Sequence, residues 1–214
     1  MTENRLADSP LAHMRAQSVA ANRMQLAVSR MCHDLVSPLG AIANGIELLL
    51  LSGQGASAEM DLIDASSAAA LARLRFFRMA YGMVEPEKSL TAKEIRSVLA
   101  ALSLSGRVKS EWLVTGQVSA REVQAVFLSI QCLESALPYG GEIKISHDGT
   151  LWHLDVQGAR IKADQTYWAP LSRGAAPPEV SAATLQYTLL VEVWQSLGRR
   201  PHIKMDEQSF NIAF

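Results

Sequence analysis

The sequence predicts an α+β fold, in which two long N-terminal helices precede a C-terminal sandwich of helices on a mixed sheet. Apolar residues recur at intervals of three and four from Val28 to Tyr81, as in amphipathic helices. Beyond Pro86 the pattern changes, and short alternating segments typical of strands are interspersed with helical ones. Asp148-Gly149 stands between two such alternating segments and is a strong signal for a hairpin turn.

The first helix is expected to begin at Ser9-Pro10, because serine caps helices and proline suits the first helical position. It should run to about Leu51, with a bend at Pro38. Residues 52–56 form a predicted turn, and a short turn makes the second helix an antiparallel neighbour. The two apolar seams are Val28, Met31, Leu35, Leu39, Ile42, Ile46 and Leu49, and Met60, Ile63, Ser67, Ala70, Leu74, Phe77 and Tyr81.

This hairpin has little core of its own, and Leu48, Leu50 and Leu62 point away from its seams. A second copy would bury the surplus apolar surface, so we expect a homodimer with a two-fold symmetric four-helix bundle. The alternative is that the hairpin packs on the C-terminal domain. Gly82 and Pro86 end the hairpin, which places the predicted domains at 1–84 and 85–214.

In the C-terminal domain, the predicted order is helix, strand, helix, strand, strand, loop, helix, strand, strand, with the helices on one face of the sheet. Pro170, Gly174 and Pro177-Pro178 indicate irregular backbone over 159–178. The tryptophans are predicted to serve packing, although Trp168 in this loop could be exposed. The predicted elements are 91–104, 108–115, 120–137, 142–147, 151–157, 181–197, 202–205 and 210–214.

Composition and charge exclude several classes of protein. The 214 residues carry a net charge of −1, which offers no basic face for nucleic acid. Cys32 and Cys132 are too few for a disulfide scaffold or a zinc site, so a reducing cytosol is the default. No segment has the length and apolarity of a membrane span, and the first residues do not resemble a signal peptide. We therefore expect a cytoplasmic protein that contacts neither nucleic acid nor membrane.

His33 is the candidate nucleophile. It lies two residues from both Met31 and Leu35, so helical geometry places it opposite the seam, toward water. Asp34 can accept a hydrogen bond from one ring nitrogen, which leaves the other lone pair free to attack. Most single histidines on helices have no chemical role, so these neighbours carry the prediction. Ser37, one turn further on, is a candidate to shape or polarise the site.

The run His33-Asp34-Leu35-Val36-Ser37-Pro38-Leu39 resembles the phosphoacceptor box of histidine kinases. Its continuation through Asn44-Gly45-Ile46-Glu47-Leu48 resembles more particularly the ChpT-type histidine phosphotransferases. That resemblance implies that His33 relays a phosphoryl group from the receiver Asp of a CckA-like hybrid histidine kinase to CtrA-like and CpdR-like response regulators. It also implies that Mg²⁺ is held by the partner receiver, while this chain binds no cofactor or metal.

A receiver domain is expected to dock along a track of small side chains beside His33. Arg75 comes level with His33 when the hairpin is folded about residue 54. Arg73, Arg75 and Arg78 cluster in the last turns of the second helix. Cations near a helix C-terminus are favourable without any function. One or two of these arginines are nevertheless predicted to attract the receiver or to steady the phosphoryl group. The expected receiver contacts are Gly40, Ala41, Asn44, Leu48, Leu62, Ser66, Ala69, Arg73 and Arg75.

The order of the C-terminal elements resembles the ATP-binding domain of histidine kinases, but the residues for nucleotide are missing. Ser129 and Leu133 stand where such kinases carry asparagines. The kinase Asp-x-Gly-x-Gly falls on Val156-Gln157-Gly158-Ala159-Arg160, and the later Gly-x-Gly-Leu falls on Thr184-Leu185-Gln186-Tyr187. We therefore expect no ATP binding. The loop 163–176, in the place of a kinase lid, either packs against the empty pocket or touches the partner.

Two other functions are open at this point. An autophosphorylating histidine kinase would need ATP, and labelling by ATP alone would reveal it. A non-catalytic adaptor would bind receivers without needing His33, and His33→Gln would leave it intact.

Overall fold

The N-terminal part of the chain is a hairpin of two helices. The computed structural model describes residues 10–52, 57–85 and 87–214. Helix α1 spans Pro10–Ser52, continuing through Pro38, and helix α2 spans Ser57–Tyr81. The predicted tail, the Ser9 cap and most of the predicted turn lie outside the described residues. Gly82 follows α2, and its N–H donates to the Arg78 carbonyl at 3.1 Å. A Cβ at this position would collide with that oxygen, so glycine suits the helix end.

The C-terminal part is a sandwich of helices on a mixed sheet, which confirms the α+β part of the predicted fold class. Its five-stranded sheet has the order β2-β4-β5-β7-β6, and only the β2–β4 pair is parallel. Strands β1 and β3 form a separate antiparallel pair. The elements are β1 Ser89–Thr91, α3 Ala92–Ser105, β2 Val108–Trp112, β3 Gln117–Ser119, α4 Ala120–Ala136, β4 Gly141–His147, β5 Trp152–Gln157, α5 Gln165–Ser172, α6 Leu185–Ser196, β6 His202–Met205 and β7 Ser209–Ala213.

Side chains alternate across the sheet as the period of a strand requires. Ile143 and Ile145 of β4 are buried, whereas Lys144 between them is exposed. Leu154 and Val156 of β5 are likewise buried on either side of Asp155. The buried face joins helix α4 in one hydrophobic core, and α4 also packs against α2 and α6.

The structure corrects the prediction for residues 159–178. Helix α5 lies inside this stretch, although three prolines and a glycine indicated irregular backbone. Asp164 caps the helix by accepting from the Thr166 N–H at 2.9 Å, a local signal that the proline count outweighed. Trp168 is buried rather than exposed. The last helix begins at Leu185 rather than at 181, and the short β1–β3 pair was not predicted.

The C-terminal end of α2 packs on the C-terminal domain. Phe76 and Phe77 are fully buried, and the Phe76 ring stacks on Phe127 of α4 with centroids 5.1 Å apart. The Gln124 amide of α4 donates to the Ala80 and Gly82 carbonyls, at 3.1 Å each. The alternative expectation, in which the hairpin packs on the C-terminal domain, is therefore observed at this end of α2. This end of α2 shares the hydrophobic core of the following domain. The predicted domain boundary at 84/85 stays a prediction.

Elsewhere the apolar seams of the hairpin stay half exposed in the single chain. Met31 is partly buried and reaches the core, but Leu39 keeps 56% of its surface exposed. Leu74, one turn before the buried phenylalanines, keeps 50%. The other large apolar residues exposed along the two helices are Val28, Val36, Ile46, Leu48, Leu51, Met60, Leu62 and Leu71.

Candidate functional site

His33 lies on the open side of helix α1, as its spacing from the seam predicted. Its side chain is 85% exposed, and its Nδ1 lies 3.1 Å from Asp34 Oδ1. Within the described ranges, no protein group is bonded to Nε2. A ring held through Nδ1 in this way presents Nε2 as the nucleophilic nitrogen.

Asp34 is itself held in place by Arg30, one turn earlier in the same helix. Arg30 Nε donates to Asp34 Oδ2 at 3.2 Å, and the Asp34 side chain is only 15% exposed. One carboxylate oxygen therefore receives the arginine while the other faces the histidine ring. This geometry fixes the orientation of both groups without any bound ligand.

His33 also borders a cleft of about 370 Å³ between the hairpin and the C-terminal domain. Ser37 is exposed and lines the same cleft. The remaining lining residues are Arg30, Asp34, Arg73, Arg107, Gln131, Glu134, Ser135, Ala183 and Gln186. Arg30 was not among the site residues predicted from the sequence, although its spacing of four from Asp34 is a recognisable helical pair. The residues of α4 and of the α3–β2 loop carried no such signal, because only folding brings them to His33.

The structure places most of the predicted docking residues on accessible surface. Gly40 and Asn44 are exposed, and a Cβ at Gly40 would meet no atom within 4 Å. Leu48 and Leu62 are among the exposed large apolar residues. Ala41, Ser66 and Ala69 are half-buried.

The two predicted arginine contacts lie in different places. Arg73 lines the cleft with His33, and its guanidinium lies 3.3 Å from Glu134 of helix α4. Arg75 lines another cavity of about 490 Å³, which is bordered by Met31 and Leu74. The structure therefore brings Arg73 to His33 and places Arg75 on the apolar side of the hairpin. Whether Arg75 meets a receiver stays a prediction.

Apolar packing occupies the positions that correspond to the nucleotide motifs. Leu133 and Val156 are buried core residues, and the Ser129 hydroxyl donates to the Ala125 carbonyl of its own helix at 2.8 Å. At Gly158, the glycine retained in the first motif, the backbone passes close to its neighbours: a Cβ there would lie 2.8 Å from the end of the Leu137 side chain and 3.2 Å from the Gly140 carbonyl oxygen.

Aromatic side chains from the segment 163–176 enter this region. Trp168 is buried against Phe210, with ring centroids 4.5 Å apart, and contacts the edge of Tyr187. Tyr167 stacks on Tyr187 at 5.3 Å. Burial raises the pKa of Tyr187 well above its ordinary value, so its phenol stays protonated beside Ser135. This packing agrees with the first of the two expectations for the segment, and contact with a partner stays a prediction.

The described residues lack two kinds of feature. They contain no group of three or more His, Cys, Asp or Glu side chains suited to holding a metal ion. None of the helices in the described ranges combines the length and apolarity that crossing a membrane requires.

Comparison with known proteins adds three similarities. A family model described as the histidine phosphotransferase C-terminal domain matches residues 92–209, more than half of the chain. The protein phosphotransferase ChpT of Brucella abortus (strain 2308) is 30% identical over 175 residues, which cover 78% of this chain and 83% of that protein. A 1.7 Å structure of a bacterial phosphotransferase superposes with a TM-score of 0.75 at 25% identity, covering 91% of this chain and 96% of that one.

The structure is also similar, more weakly, to that of a histidine kinase domain. The histidine kinase domain of a blue-light activated histidine kinase from Erythrobacter litoralis EL346 is 14% identical, with a TM-score of 0.42. The match covers 86% of this chain and 93% of the kinase domain.

Proposed function

Because the chain belongs to the ChpT-type histidine phosphotransferase family, we propose that it relays a phosphoryl group between the aspartates of receiver domains through His33. The observation that carries this proposal is the His33 ring, 85% exposed and hydrogen-bonded through Nδ1 to Asp34. A nucleophile that serves two partner proteins in turn must be reachable from solvent and must present one defined nitrogen.

In the proposed transfer, His33 Nε2 attacks the phosphorus of a receiver acyl phosphate in line with the leaving oxygen. The new bond joins nitrogen to phosphorus, and the broken bond returns its electron pair to the receiver carboxylate. Asp34 holds the proton on Nδ1 and offsets the positive charge that develops on the ring. A second receiver then attacks the same phosphorus with its own aspartate, and His33 leaves as a neutral ring. The receivers supply the Mg²⁺ that neutralises the phosphoryl oxygens.

The finer identities of the partners rest on the sequence resemblance. The donor would be the receiver of a CckA-like hybrid histidine kinase, and the acceptors CtrA-like and CpdR-like response regulators, all in the cytoplasm. The proposed docking surface follows Gly40, Asn44 and Leu48 along α1. On α2 it includes Leu62, Ser66, Ala69 and Arg73, which step by threes and fours and so share one side of the helix.

We also propose that the C-terminal domain binds no ATP. A kinase pocket needs a carboxylate for the adenine amino group and space for the ring, whereas Val156 is apolar and Trp168 fills part of this region. Calorimetry with ATP and Mg²⁺ should record no binding at micromolar concentration. Uptake of nucleotide would instead favour the autophosphorylating kinase.

The third part of the proposal is the homodimer. The cavity bordered by Met31, Leu71, Leu74 and Phe77 is mostly apolar and opens along the exposed seams of both helices. A second hairpin with the same seams would cover this surface in a four-helix bundle. Light scattering after size exclusion should give twice the chain mass.

The deciding experiment supplies a receiver domain that carries radiolabelled phosphate on its aspartate. Label should pass to the wild-type chain and not to His33→Gln. His202→Gln, an exposed histidine on β6, is the matched control and should accept label like the wild type. Labelling of His33→Gln would contradict the role of His33. Receiver binding without label on either protein would favour the adaptor.

A further inference from the structure

One wall of the cleft beside His33 is formed by the C-terminal domain and has no part in the proposed transfer described above. The hairpin side contributes Arg30, His33, Asp34 and Ser37. The opposite side belongs to the C-terminal domain, where Arg107 of the α3–β2 loop and Gln131 of α4 face the same space.

Gln131 holds an unused hydrogen-bond donor in this wall. The residue is 1% exposed, and its Oε1 accepts from the Tyr81 hydroxyl at 2.7 Å. Burial raises the pKa of Tyr81 well above its ordinary value, so the phenol keeps the proton that it donates. This bond fixes the amide with Nε2 as the remaining donor, and Nε2 is buried with no partner in the part of the chain that the structure describes. A buried donor left unpaired costs free energy, so a ligand that accepts from it would gain that energy back.

The charges of the cleft also leave one cation available. Arg30 is paired with Asp34, and Arg73 is paired with Glu134. Arg107 is exposed, and its Nη1 donates to the Pro138 carbonyl at 2.8 Å. Among the described residues, no carboxylate pairs with Arg107. A doubly charged group that enters the cleft would therefore meet a guanidinium that is not neutralised.

We propose that the phosphoryl group carried by His33 turns into this cleft, where Arg107 donates hydrogen bonds to its oxygens and where a small opening of the wall lets the covered Gln131 amide donate to one of them. The inference rests on the proposed function, since it concerns the phosphorylated state of the same histidine. The C-terminal domain is then half of the phosphohistidine site. Gln186 also presents an orphan atom here, but that atom is an acceptor oxygen and cannot bind a phosphoryl oxygen.

The C-terminal wall has two consequences for the relay. It stabilises phosphohistidine relative to the acyl phosphate of a receiver, which shifts the transfer equilibrium toward this chain. It also covers one side of the phosphoryl group between receivers, while the open side of His33 leaves a path for the next aspartate.

The test compares the wild-type chain with Arg107→Ala, Arg107→Lys and Gln131→Glu, each phosphorylated from a labelled receiver. Arg107 is exposed, so its variants should fold normally. Gln131→Glu keeps the shape, and its carboxylate can still accept from Tyr81, but it removes the free donor. The matched control is Arg173→Ala, an exposed arginine that lines a different cavity.

Two quantities are measured on the 214-residue chains. The first is the ³¹P resonance of phospho-His33 after the donor is removed. The second is the fraction of label on His33 at equilibrium with a receiver. Arg107→Ala and Gln131→Glu should move the resonance and lower the equilibrium constant by about tenfold, the factor expected for one charge-assisted hydrogen bond. Arg107→Lys should recover part of that loss, and the control should match the wild type.

Normal labelling of His33 with an unchanged resonance and equilibrium in both variants would overturn this inference alone. No label on wild-type His33 would overturn the proposed function, and this inference with it.

Discussion

The two ends of helix α2 carry similar apolar patterns but are covered differently. At the C-terminal end, Phe76 and Phe77 lie in the core of the C-terminal domain and expose nothing. One turn earlier, Leu74 keeps half of its surface exposed, and Met60 near the start of the helix keeps 47%. Helical periodicity therefore shows which residues need cover, but it does not show what supplies it.

The largest expected effect comes from the covered end. Phe76→Ala should lower the free energy of unfolding by about 3–5 kcal/mol, because it leaves a cavity between α2 and Phe127. Denaturant titration measures the change. Leu48→Ala, at an exposed position of α1, is the control and should change stability by about 0.5 kcal/mol or less. Equal losses of stability at the two positions would mean that Leu48 is buried as well as Phe76 is.

A second prediction concerns the exposed apolar seams of the two helices. Leu39→Glu together with Leu74→Glu should weaken the proposed dimer by about a hundredfold or more, since burying one leucine is worth roughly 1.5–3 kcal/mol and each change acts in both copies. Light scattering across a dilution series reports the dissociation. Leu104→Glu, at a 90% exposed leucine of α3, should leave the mass unchanged. A wild-type chain that is already monomeric at micromolar concentration would contradict the prediction at once.

A smaller effect is expected for the ion pair that ties α2 to α4. A double-mutant cycle between Arg73→Ala and Glu134→Ala should give a coupling of about 0.5–1 kcal/mol in unfolding free energy, because both side chains are about one quarter exposed. The same cycle between Arg75→Ala and Glu134→Ala should give none, because Arg75 lies on the other side of the hairpin. Coupling in both cycles would show a general charge effect rather than a specific contact.

The smallest effect is a pH dependence of stability that is expected at the β4–β5 turn of the sheet and not on helix α2. Backbone N–H groups of Leu151 and Thr150, with the His153 side chain, hold the pKa of Asp148 below its usual range in the fold. A carboxylate with a lowered pKa stabilises the fold above its unfolded pKa of about 4 and loses that effect as the pH falls through the folded value. Asp148→Asn should therefore lower the melting temperature slightly at pH 7, with the difference vanishing in acid. Asp64→Asn, exposed on α2, is the control; a deficit that persists in acid would exclude the charge as its source.

Local sequence signals predicted most of the fold. Every predicted helix and strand after Pro86 is present, including the hairpin at Asp148-Gly149, because each depends on a periodicity or a turn within a few residues. The errors occurred where local signals conflicted or were short. Helix α5 formed despite Pro170, because Asp164 caps it and Trp168 gains a buried contact. The three-residue strands β1 and β3 are too short to show alternation, and only their pairing defines them.

The candidate site shows the same difference between features set by nearby residues and features set by long-range packing. His33, Asp34 and the outward orientation of the ring followed from positions within one helix, where a spacing of two or three residues determines the face. The roles of these residues and of the docking surface stay predictions. Arg107 and Gln131 could not be found in this way, since they lie far from His33 in the sequence and reach it only because α3 and α4 pack on α2.

The sequence by itself thus determined an exposed histidine on an amphipathic helix and a C-terminal domain without the polar residues of a nucleotide site. The reason is that faces, caps and turns depend on neighbours a few residues apart. The tertiary structure alone decided which apolar surface is buried within one chain, which arginine lies beside the histidine, and which buried amide lacks a partner. Those outcomes depend on packing between distant segments, where burial and shape, rather than spacing along the chain, set the free energy.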